Sequence, residues 1–541
     1  MKPEKENQLL AEAAESGALG KLSIYFRMSG PGWVQAAVTL GGGSLVGALY
    51  LGVIGGYQFM WLQPLAMLCG VIMLAAISYV TLSSEERPFV AAKKHVSPTL
   101  AWGWLIATVI ADIVFCSSQF ALGTDAAQKN LGILPKSPYV ITAIFALGSL
   151  TLLWLSRQEG KASKVIDNVL KGLVAIVVLA FMGVVVVLAA NGGVNWGALF
   201  TGLIPDFSAL FKPTSTYAEA ISATGENAGF WTNFIANNQR NVIIGAFGSA
   251  VGINMTFLLP YSLKAKGWGK KHRELSRYDL MLGLFVPFIL ATSFLVIATS
   301  SQFHAKKDGV YSQVDYEKVV DNLLVKSDPG YAKLDAAGKT AVREALPQAD
   351  KDMGVMLAER NTRDLATSLE PFLGKNAQLI FGIGVLAMAI STMIVHMMMN
   401  GYAISEAFNK PGQKTLFMFG AAMPALTGFL SPILWSGESK TALVVPAAVI
   451  ATTLLPIAYV IFLLLMNSKK TLGTELPQRR SLIDLLMFIA AGVATFASIW
   501  NLIGKYDSAK AYDHYFGLTG LIVMPLLVII GITGFIRRNR A

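Results

Sequence analysis

The chain has 541 residues, of which 54% are hydrophobic and only 14% are charged, whereas soluble domains carry about 25% charged residues. Apolar runs of roughly twenty residues, the length that crosses a bilayer core, recur from end to end. These features exclude an ordinary soluble protein. The net charge of +11 comes mostly from the loops between apolar runs, so we expect membrane topology rather than nucleic-acid binding to explain it.

The hydropathy pattern predicts an all-α membrane protein with about twelve transmembrane helices. In chain order we place them near 30–53, 58–82, 101–123, 137–155, 166–190, 240–264, 278–300, 375–402, 413–431, 441–466, 481–503 and 516–537.

Basic residues predict the orientation of these spans, because cytoplasmic loops carry the excess of lysine and arginine. "EERPFVAAKKH", "KAKGWGKKHRELSR" and the tail "RRNRA" would all lie on the side of the N-terminus. We therefore expect a multi-pass protein of the cell (inner) membrane with both termini in the cytoplasm. On the outer side, residues 301–374 would form either a small helical cap or a solvated loop.

Two predicted spans contain interruptions at corresponding positions. The first span carries Gly41, Gly42, Gly43 and Ser44, and the sixth carries the spaced glycines Gly245, Gly248 and Gly252, of which the first two could instead serve helix packing. Small residues at helix contacts recur one turn apart, so three adjacent glycines favour local unwinding over packing. Interrupted helices at matching places of two halves are typical of the binding site of secondary transporters.

Five segments in the same order resemble the NRAMP (natural resistance-associated macrophage protein) family. They are "GPGWVQAAV" at 30–38, the stretch 153–181, "NWGALFTGLIP" at 195–205, "STMIVHMMMNGY" within 391–409, and the stretch 444–473. The resemblance implies proton-coupled transport of divalent metals and a leucine-transporter-type fold with a five-plus-five inverted repeat, in which spans one and six are broken. The implied organisation is an N-terminal tail 1–29, a first repeat 30–190, an outer loop 191–239, a second repeat 240–466 containing the insertion 301–374, and two further spans with a tail in 467–541.

The functional residues depart from the family pattern. The family's Asp-Pro-Gly-Asn falls on Gly41, Gly42, Gly43 and Ser44 in this sequence. Its Met-Pro-His falls on Ile253, Asn254 and Met255, its tenth-span glutamine falls on Leu454, and Gln119 stands where a third-span glutamate belongs. A divalent cation needs several donor ligands with negative charge nearby, and these positions supply no anion.

We therefore predict a substrate site that uses backbone groups, formed by Gly41, Gly42, Gly43, Ser44, Ile253, Asn254 and Met255. The second half-helix would direct free N–H groups at an anion, while the first would present carbonyl oxygens to a cation.

Asp112, Gln119 and His396 are candidates for ion coupling or for the transport pathway. Asp112 and His396 are ionisable groups inside predicted spans, which are usually functional, and Gln119 stands where the family has a glutamate. Asp112 could instead lie near a wet span end, and His396 could be hydrogen-bonded within the bundle.

These observations predict a secondary transporter working by alternating access, with a site that favours a small anion or amino acid. The alternative is a divalent-metal transporter for Mn, Fe or Mg with a displaced metal site, and a third is a sensor or scaffold that no longer transports. We expect no enzyme activity, no catalytic residues and no cofactor, since no nucleophile–base arrangement or phosphate loop is present. The expected partners are a small solute or ion, a coupling proton or sodium ion, and the lipid bilayer.

Overall fold

The computed structural model describes residues 3–157, 163–360, 362–374, 376–434, 444–508 and 510–540, and within them every regular element is a helix. Two N-terminal helices precede the membrane spans: α1 (Pro3–Glu15) and α2 (Ala18–Met28). The first half of the bundle then comprises α3 (Pro31–Thr39), α4 (Gly42–Gly55), α5 (Leu62–Ser83), α6 (Pro98–Asp125), α7 (Pro138–Ser156) and α8 (Ser163–Ala190).

The second half begins with α9 (Ala228–Ser249), α10 (Ile253–Ala265), α11 (Arg273–Asp279) and α12 (Val286–Phe303). Four helices follow outside the bundle: α13 (Gln313–Ser327), α14 (Ala336–Glu344), α15 (Gln348–Leu357) and α16 (Thr362–Ser368). The chain returns to the bundle in α17 (Asn376–Ala407), α18 (Lys414–Phe429), α19 (Val444–Met466), α20 (Arg480–Tyr506) and α21 (Ala511–Arg540).

Nine continuous helices of the described chain, and α3 together with α4, are long and apolar enough to cross a membrane. The remaining two predicted spans correspond to the pair α9–α10, which is interrupted, and to α18, which has only 16 residues. Residue 375 and residues 441–443, where we predicted two spans to begin, lie outside the described residues.

The first span is broken at the predicted place. Helix α3 ends at Thr39, α4 begins at Gly42, and the two helices are bent by 57°. A Cβ atom on Gly41 would lie 2.9 Å from the side-chain methyl and hydroxyl of Thr392 on α17. The break therefore needs glycine because another helix approaches closely there. The backbone conformation does not require glycine, since the φ of Gly41 is −114°, which other residues adopt readily.

The sixth span is interrupted between Ser249 and Ile253, where Gly252 is extended. Helix α9 begins at Ala228, twelve residues before the predicted start at 240. The extra turns mix aromatic residues with Thr, Asn and Gln and so escape a hydropathy test, but they bury Trp231 and Ile235 completely against the helices beyond the bundle. Tertiary packing thus extends a helix that composition alone would end.

Residues 313–368 contain the helices α13 to α16, which we call the cap. A separate apolar cluster joins Val319, Leu323 and Met353 of the cap to Ile54 at the end of α4 and to Trp231 of α9. Fully buried Asp350 accepts hydrogen bonds from Trp231 Nε1 at 2.6 Å and from Asn227 Nδ2 at 2.8 Å. The cap is therefore fixed to both broken spans.

The opposite end of the bundle carries α2 and the start of α3, and we call it the N-terminal side. Here Lys21 of α2 pairs with Glu274 of α11 at 3.0 Å. Asp279, at the end of α11, accepts the backbone N–H of Gly30 and that of Gly32, so the first span begins in contact with the seventh.

Candidate functional site

A cavity of about 30 Å³ lies at the two helix breaks, larger than the roughly 10–15 Å³ that one water molecule requires. Its lining comprises Val38, Thr39, Gly41, Gly43, Ser44, Phe115, Gln119, Gly252, Asn254, Met255, Thr392, His396 and Ala451. Gly42 and Ile253 are buried in the adjoining first turns of α4 and α10. Leu454 does not line the cavity, whereas Ala451 on the same helix does.

Side-chain hydroxyl groups donate hydrogen bonds to backbone carbonyl oxygens at the two helix breaks. Thr39 Oγ1 donates to the carbonyl of Ala250 at 2.8 Å, and Thr392 Oγ1 donates to that of Ala37 at 3.0 Å. Ser44 Oγ donates to the carbonyl of Thr39. Breaking a helix leaves its last carbonyls without intrahelical donors, and these three side chains satisfy three carbonyls at the breaks without any ligand.

The first turn of α4 presents backbone N–H groups to the cavity. The N–H of Gly42 donates to Oε1 of the fully buried Gln119 at 3.0 Å. Gly43 and Ser44 come next and line the cavity, and the first amides of a helix have no acceptor within it. This end of the site therefore carries donors and the positive end of a helix dipole.

Asp112, Asn254 and His396 form a buried polar triad on three different spans. His396 Nδ1 lies 3.0 Å from Asp112 Oδ1 and 3.2 Å from Asn254 Nδ2. Asn254 Nδ2 also lies 3.4 Å from Asp112 Oδ1, while its own Oδ1 accepts the N–H of Met255. That last bond directs the amide nitrogen of Asn254 at the other two side chains.

Asp112 is fully buried, and its second oxygen, Oδ2, has no hydrogen-bond partner among the described residues. It therefore does not lie at a wet span end. The imidazole of His396 is stacked on Phe115, with ring centroids 5.3 Å apart and planes 8° apart. A buried carboxylate oxygen without a partner is costly, and a proton or a cation would satisfy it.

Sequence reasoning missed Thr39, Thr392 and Gln35. Gln35 is fully buried on α3 and donates to the carbonyl of Met255 at 3.4 Å, while its Oε1 has no partner among the described residues. A glutamine in the apolar stretch "GWVQAAV" is a signal that could have been used, since polar side chains inside spans are often functional. The two threonines resemble many others in the spans, and only their contacts distinguish them.

Within the described part of the chain, no three side chains of His, Cys, Asp or Glu come together as a metal site would require. The cavity region does combine one carboxylate, one imidazole, one amide and one thioether, in Asp112, His396, Asn254 and Met255. Such a mixed oxygen, nitrogen and sulfur set is compatible with a first-row divalent metal.

A membrane bundle with two interrupted spans that meet at a buried polar cavity defines the class of helical secondary transporters. The chain matches the natural resistance-associated macrophage protein-like (Nramp) family over residues 32–327 and 351–504. It therefore belongs to the Nramp family, as the sequence analysis predicted, and is an integral multi-pass membrane transporter and not an enzyme.

Solved structures agree with this assignment. A mutant of the manganese transporter of Eremococcus coleocola has a TM-score of 0.67 at 14% sequence identity, covering 99% of this chain and 97% of that one. The same transporter in complex with an aromatic bis-isothiourea substituted compound has a TM-score of 0.59 at 14% identity, covering 97% of both chains. The predicted leucine-transporter-type fold is thereby confirmed. No curated protein matches the chain significantly.

Proposed function

We propose that this Nramp-family transporter carries a divalent metal ion through a site displaced onto Asp112, His396, Asn254 and Met255. This was the alternative in the sequence analysis, and the position of Asp112 now supports it. The carboxylate that the first span lacks is replaced by a carboxylate of α6, which is fully buried beside the cavity and has one oxygen without a partner in the described chain.

The donors favour manganese or iron over magnesium. Magnesium prefers an octahedral shell of oxygen ligands and retains several waters. Imidazole and thioether donors suit first-row transition metals better than magnesium, and iron more than manganese. His396 and Met255 both line the cavity, so the softer ligands lie where the ion would be held.

The triad also supplies a means of proton coupling. Asp112 Oδ1 and His396 Nδ1 are 3.0 Å apart, within reach of one shared proton. A metal ion and a proton compete for the same lone pairs, because ligands bind metal only when deprotonated. Metal binding at this site would therefore release protons, which couples metal transport to the proton gradient.

A second candidate substrate is a small anion or amino acid, and the first turn of α4 favours it. Gly43 and Ser44, whose N–H groups lie in the first turn of the helix and have no acceptor within it, line the cavity, and its lining among the described residues includes no carboxylate. Thr39 and Thr392 also occupy carbonyl oxygens that a cation would use. The breaks at 40–41 and 250–252 would serve as hinges for alternating access with either substrate.

The proposed topology places both termini in the cytoplasm of a cell whose inner membrane holds the protein. The basic loops on the N-terminal side and the cap on the other side support this orientation. The proposed organisation remains two repeats, 30–190 and 240–466, followed by two peripheral spans within 467–541.

Uptake by the purified protein in liposomes tests the proposal. We expect saturable manganese uptake whose rate depends on the pH gradient, with uptake by Asp112→Asn reduced about tenfold or more, since a ligand and a proton acceptor are lost. Asp484→Asn is the matched control, because Asp484 lies on the peripheral helix α20, where it accepts a hydrogen bond from Asn467 at 2.9 Å.

Two outcomes would overturn the metal proposal. One is the absence of manganese and iron uptake together with saturable uptake of glycine or a small carboxylate, which would establish the second candidate. The other is manganese uptake that Asp112→Asn and Asp484→Asn leave equally intact.

A further inference from the structure

A second cavity, of about 350 Å³, lies on the N-terminal side of the helix breaks. Its polar lining consists of Ser156, Arg157, Asp167, Ser262, Lys266 and Tyr402. A neighbouring cavity of about 290 Å³ shares Arg157 and Tyr402 and adds Arg87 and Lys264. Because α3 and α10 both contribute to the lining, this space adjoins the route between the central cavity and the N-terminal side.

The linings of the two cavities carry more cations than carboxylates, and one of these cations, Arg87, pairs with Glu406 at 3.1 Å. Lys266 Nζ lies 2.7 Å from Asp167 Oδ2, which neutralises the carboxylate of the larger cavity. Arg157 has no ion-pair partner among the described residues, and its guanidinium lies 3.6 Å from the ring centroid of Phe417 and 4.8 Å from that of Tyr402. Aromatic faces of this kind hold a guanidinium in place and leave its N–H edge available.

Two buried polar groups of the lining lack partners. Arg157 Nη2 and Ser262 Oγ have no hydrogen bond to any described residue, and Ser262 is only 7% exposed. Buried polar groups are nearly always hydrogen-bonded in native proteins. A guanidinium and a hydroxyl that both lack acceptors, beside an ammonium, indicate a ligand that is rich in acceptor oxygens.

We infer that this cavity binds a phosphate-type oxyanion through Arg157, Lys266 and Ser262. A tetrahedral oxyanion offers the acceptors that an Arg fork, a Lys ammonium and a hydroxyl require. The same group could arrive as free phosphate or as the headgroup of an anionic phospholipid. Its site is separate from the central cavity and does not depend on which substrate is carried.

The bound oxyanion would also affect transport of a cation. The guanidinium of Arg157, which has no ion-pair partner in the described part of the chain, would repel a divalent cation beside the route, and this repulsion is strongest where water is scarce. A bound phosphate neutralises it. This consequence rests on the proposed metal transport, whereas the binding itself does not.

Isothermal titration calorimetry of the full-length protein with inorganic phosphate tests the site. The protein is held in phosphate-free detergent solution, and chloride at equal ionic strength is the reference titrant. We expect saturable binding that Arg157→Gln weakens about tenfold or more, because hydrogen bonds to charged groups contribute about 1.5–3 kcal/mol. Ser262→Ala should weaken it roughly fivefold. Arg240→Gln is the matched control, since Arg240 also faces an aromatic ring, at 5.5 Å from Trp500, but donates to the carbonyl of Leu210.

A second arm separates the two sources of the oxyanion. The protein in nanodiscs is loaded with phosphate and then exposed to phosphatidic acid or to free phosphate esters. If phosphatidic acid displaces phosphate and Arg157→Gln abolishes this effect, the ligand is a lipid headgroup. If only the free esters displace phosphate, the ligand is soluble. Either result supports the site. No saturable binding in either arm, or equal binding by wild type and Arg157→Gln, overturns it. Manganese uptake measured without phosphate tests the metal proposal separately from oxyanion binding. Failure of the metal proposal is therefore distinguishable from failure of the oxyanion site.

Discussion

Asp279 holds the beginning of the first span with both of its carboxylate oxygens. Oδ1 accepts the N–H of Gly30 at 2.8 Å, and Oδ2 accepts the N–H of Gly32 at 2.6 Å. A Cβ atom on Gly32 would lie 2.1 Å from the backbone oxygen of Asp279, so the two segments touch through their backbones. The half-helix α3, which must move if the site is to open on this side, is thus fixed to α11.

We expect Asp279→Ala to release the N-terminal end of α3. Two backbone amides would lose a charged acceptor, at a cost of about 2 kcal/mol. Val34 lines the second cavity and can be replaced by Val34→Cys in a chain without Cys69 and Cys116. This cysteine should react with a maleimide several-fold faster when Asp279→Ala is present than when Asp279 is intact. Unchanged labelling, with the same rate in the control Asp484→Ala, would contradict this role for Asp279.

Gly41→Ala should abolish transport without preventing folding. The added methyl group would lie 2.9 Å from two side-chain atoms of Thr392, too close for any real contact, at the hinge of the first span. Uptake in liposomes and elution from a sizing column would separate lost function from lost folding.

Two variants make this prediction specific. Gly47→Ala adds a methyl group to the same half-helix where nothing lies within 4 Å, and it should transport normally. Combining Gly41→Ala with Thr392→Ala removes the clashing atoms and should restore much of the uptake. Full activity of Gly41→Ala alone would show that the close approach is not needed.

Asp350→Ala should loosen the cap from the bundle. The substitution leaves Trp231 Nε1 and Asn227 Nδ2 without their buried acceptor, which costs about 1–3 kcal/mol for each unsatisfied group. Hydrogen exchange of residues 313–357 should accelerate markedly in the variant. Asp352→Ala, whose carboxylate lies 3.9 Å from Lys307, is the control and should leave exchange nearly unchanged.

The cap should also lose stability at low pH through Asp321. Burial raises the pKa of this carboxyl, but hydrogen bonds from Arg343 at 2.7 and 2.8 Å and from Tyr331 outweigh burial and lower it. Since the folded-state pKa lies below the unfolded value, the stabilisation is complete above about pH 4 and is lost as the pH falls through the lowered pKa.

Solvent screening limits this effect to about 1 kcal/mol or less. It should appear as faster hydrogen exchange of the cap between pH 5 and pH 3, after correction for intrinsic exchange rates. In Asp321→Asn, the cap should be less stable than in the wild type at pH 5, and its exchange should change less between pH 5 and pH 3. Parallel profiles for the two proteins would contradict the assignment to Asp321.

The sequence predicted those features that short-range physics determines. Apolar runs located the spans, and the adjacent glycines located the break of α3 and α4, since three glycines together have few other uses in a span. Hydropathy failed at the start of α9, because residues 228–239 mix aromatic and polar side chains and pack against the cap. For the same reason, the sequence did not distinguish a helical cap from a solvated loop in residues 301–374.

The triad could not be predicted from one sequence. Asp112 and His396 were each recognised as unusual inside a span, but 284 positions separate them, and only the packing of α6 against α17 brings them to 3.0 Å. The hydroxyls of Thr39 and Thr392 acquire their importance from carbonyls on neighbouring segments. Such pairings depend on three-dimensional contacts that no local pattern records.

The hydroxyls that cover the exposed carbonyls have a consequence for the transport cycle. A carrier must return to its starting state after releasing its cargo, and the return is slow if the vacant site leaves polar groups bare in the membrane. Here Thr39, Ser44 and Thr392 satisfy three carbonyls at the breaks from within the chain, and a proton on Asp112 would satisfy the carboxylate oxygen that has no partner among the described residues. We therefore expect the unloaded carrier to reorient readily, so that liposomes containing no substrate fill by net flux and preloading them gives little acceleration.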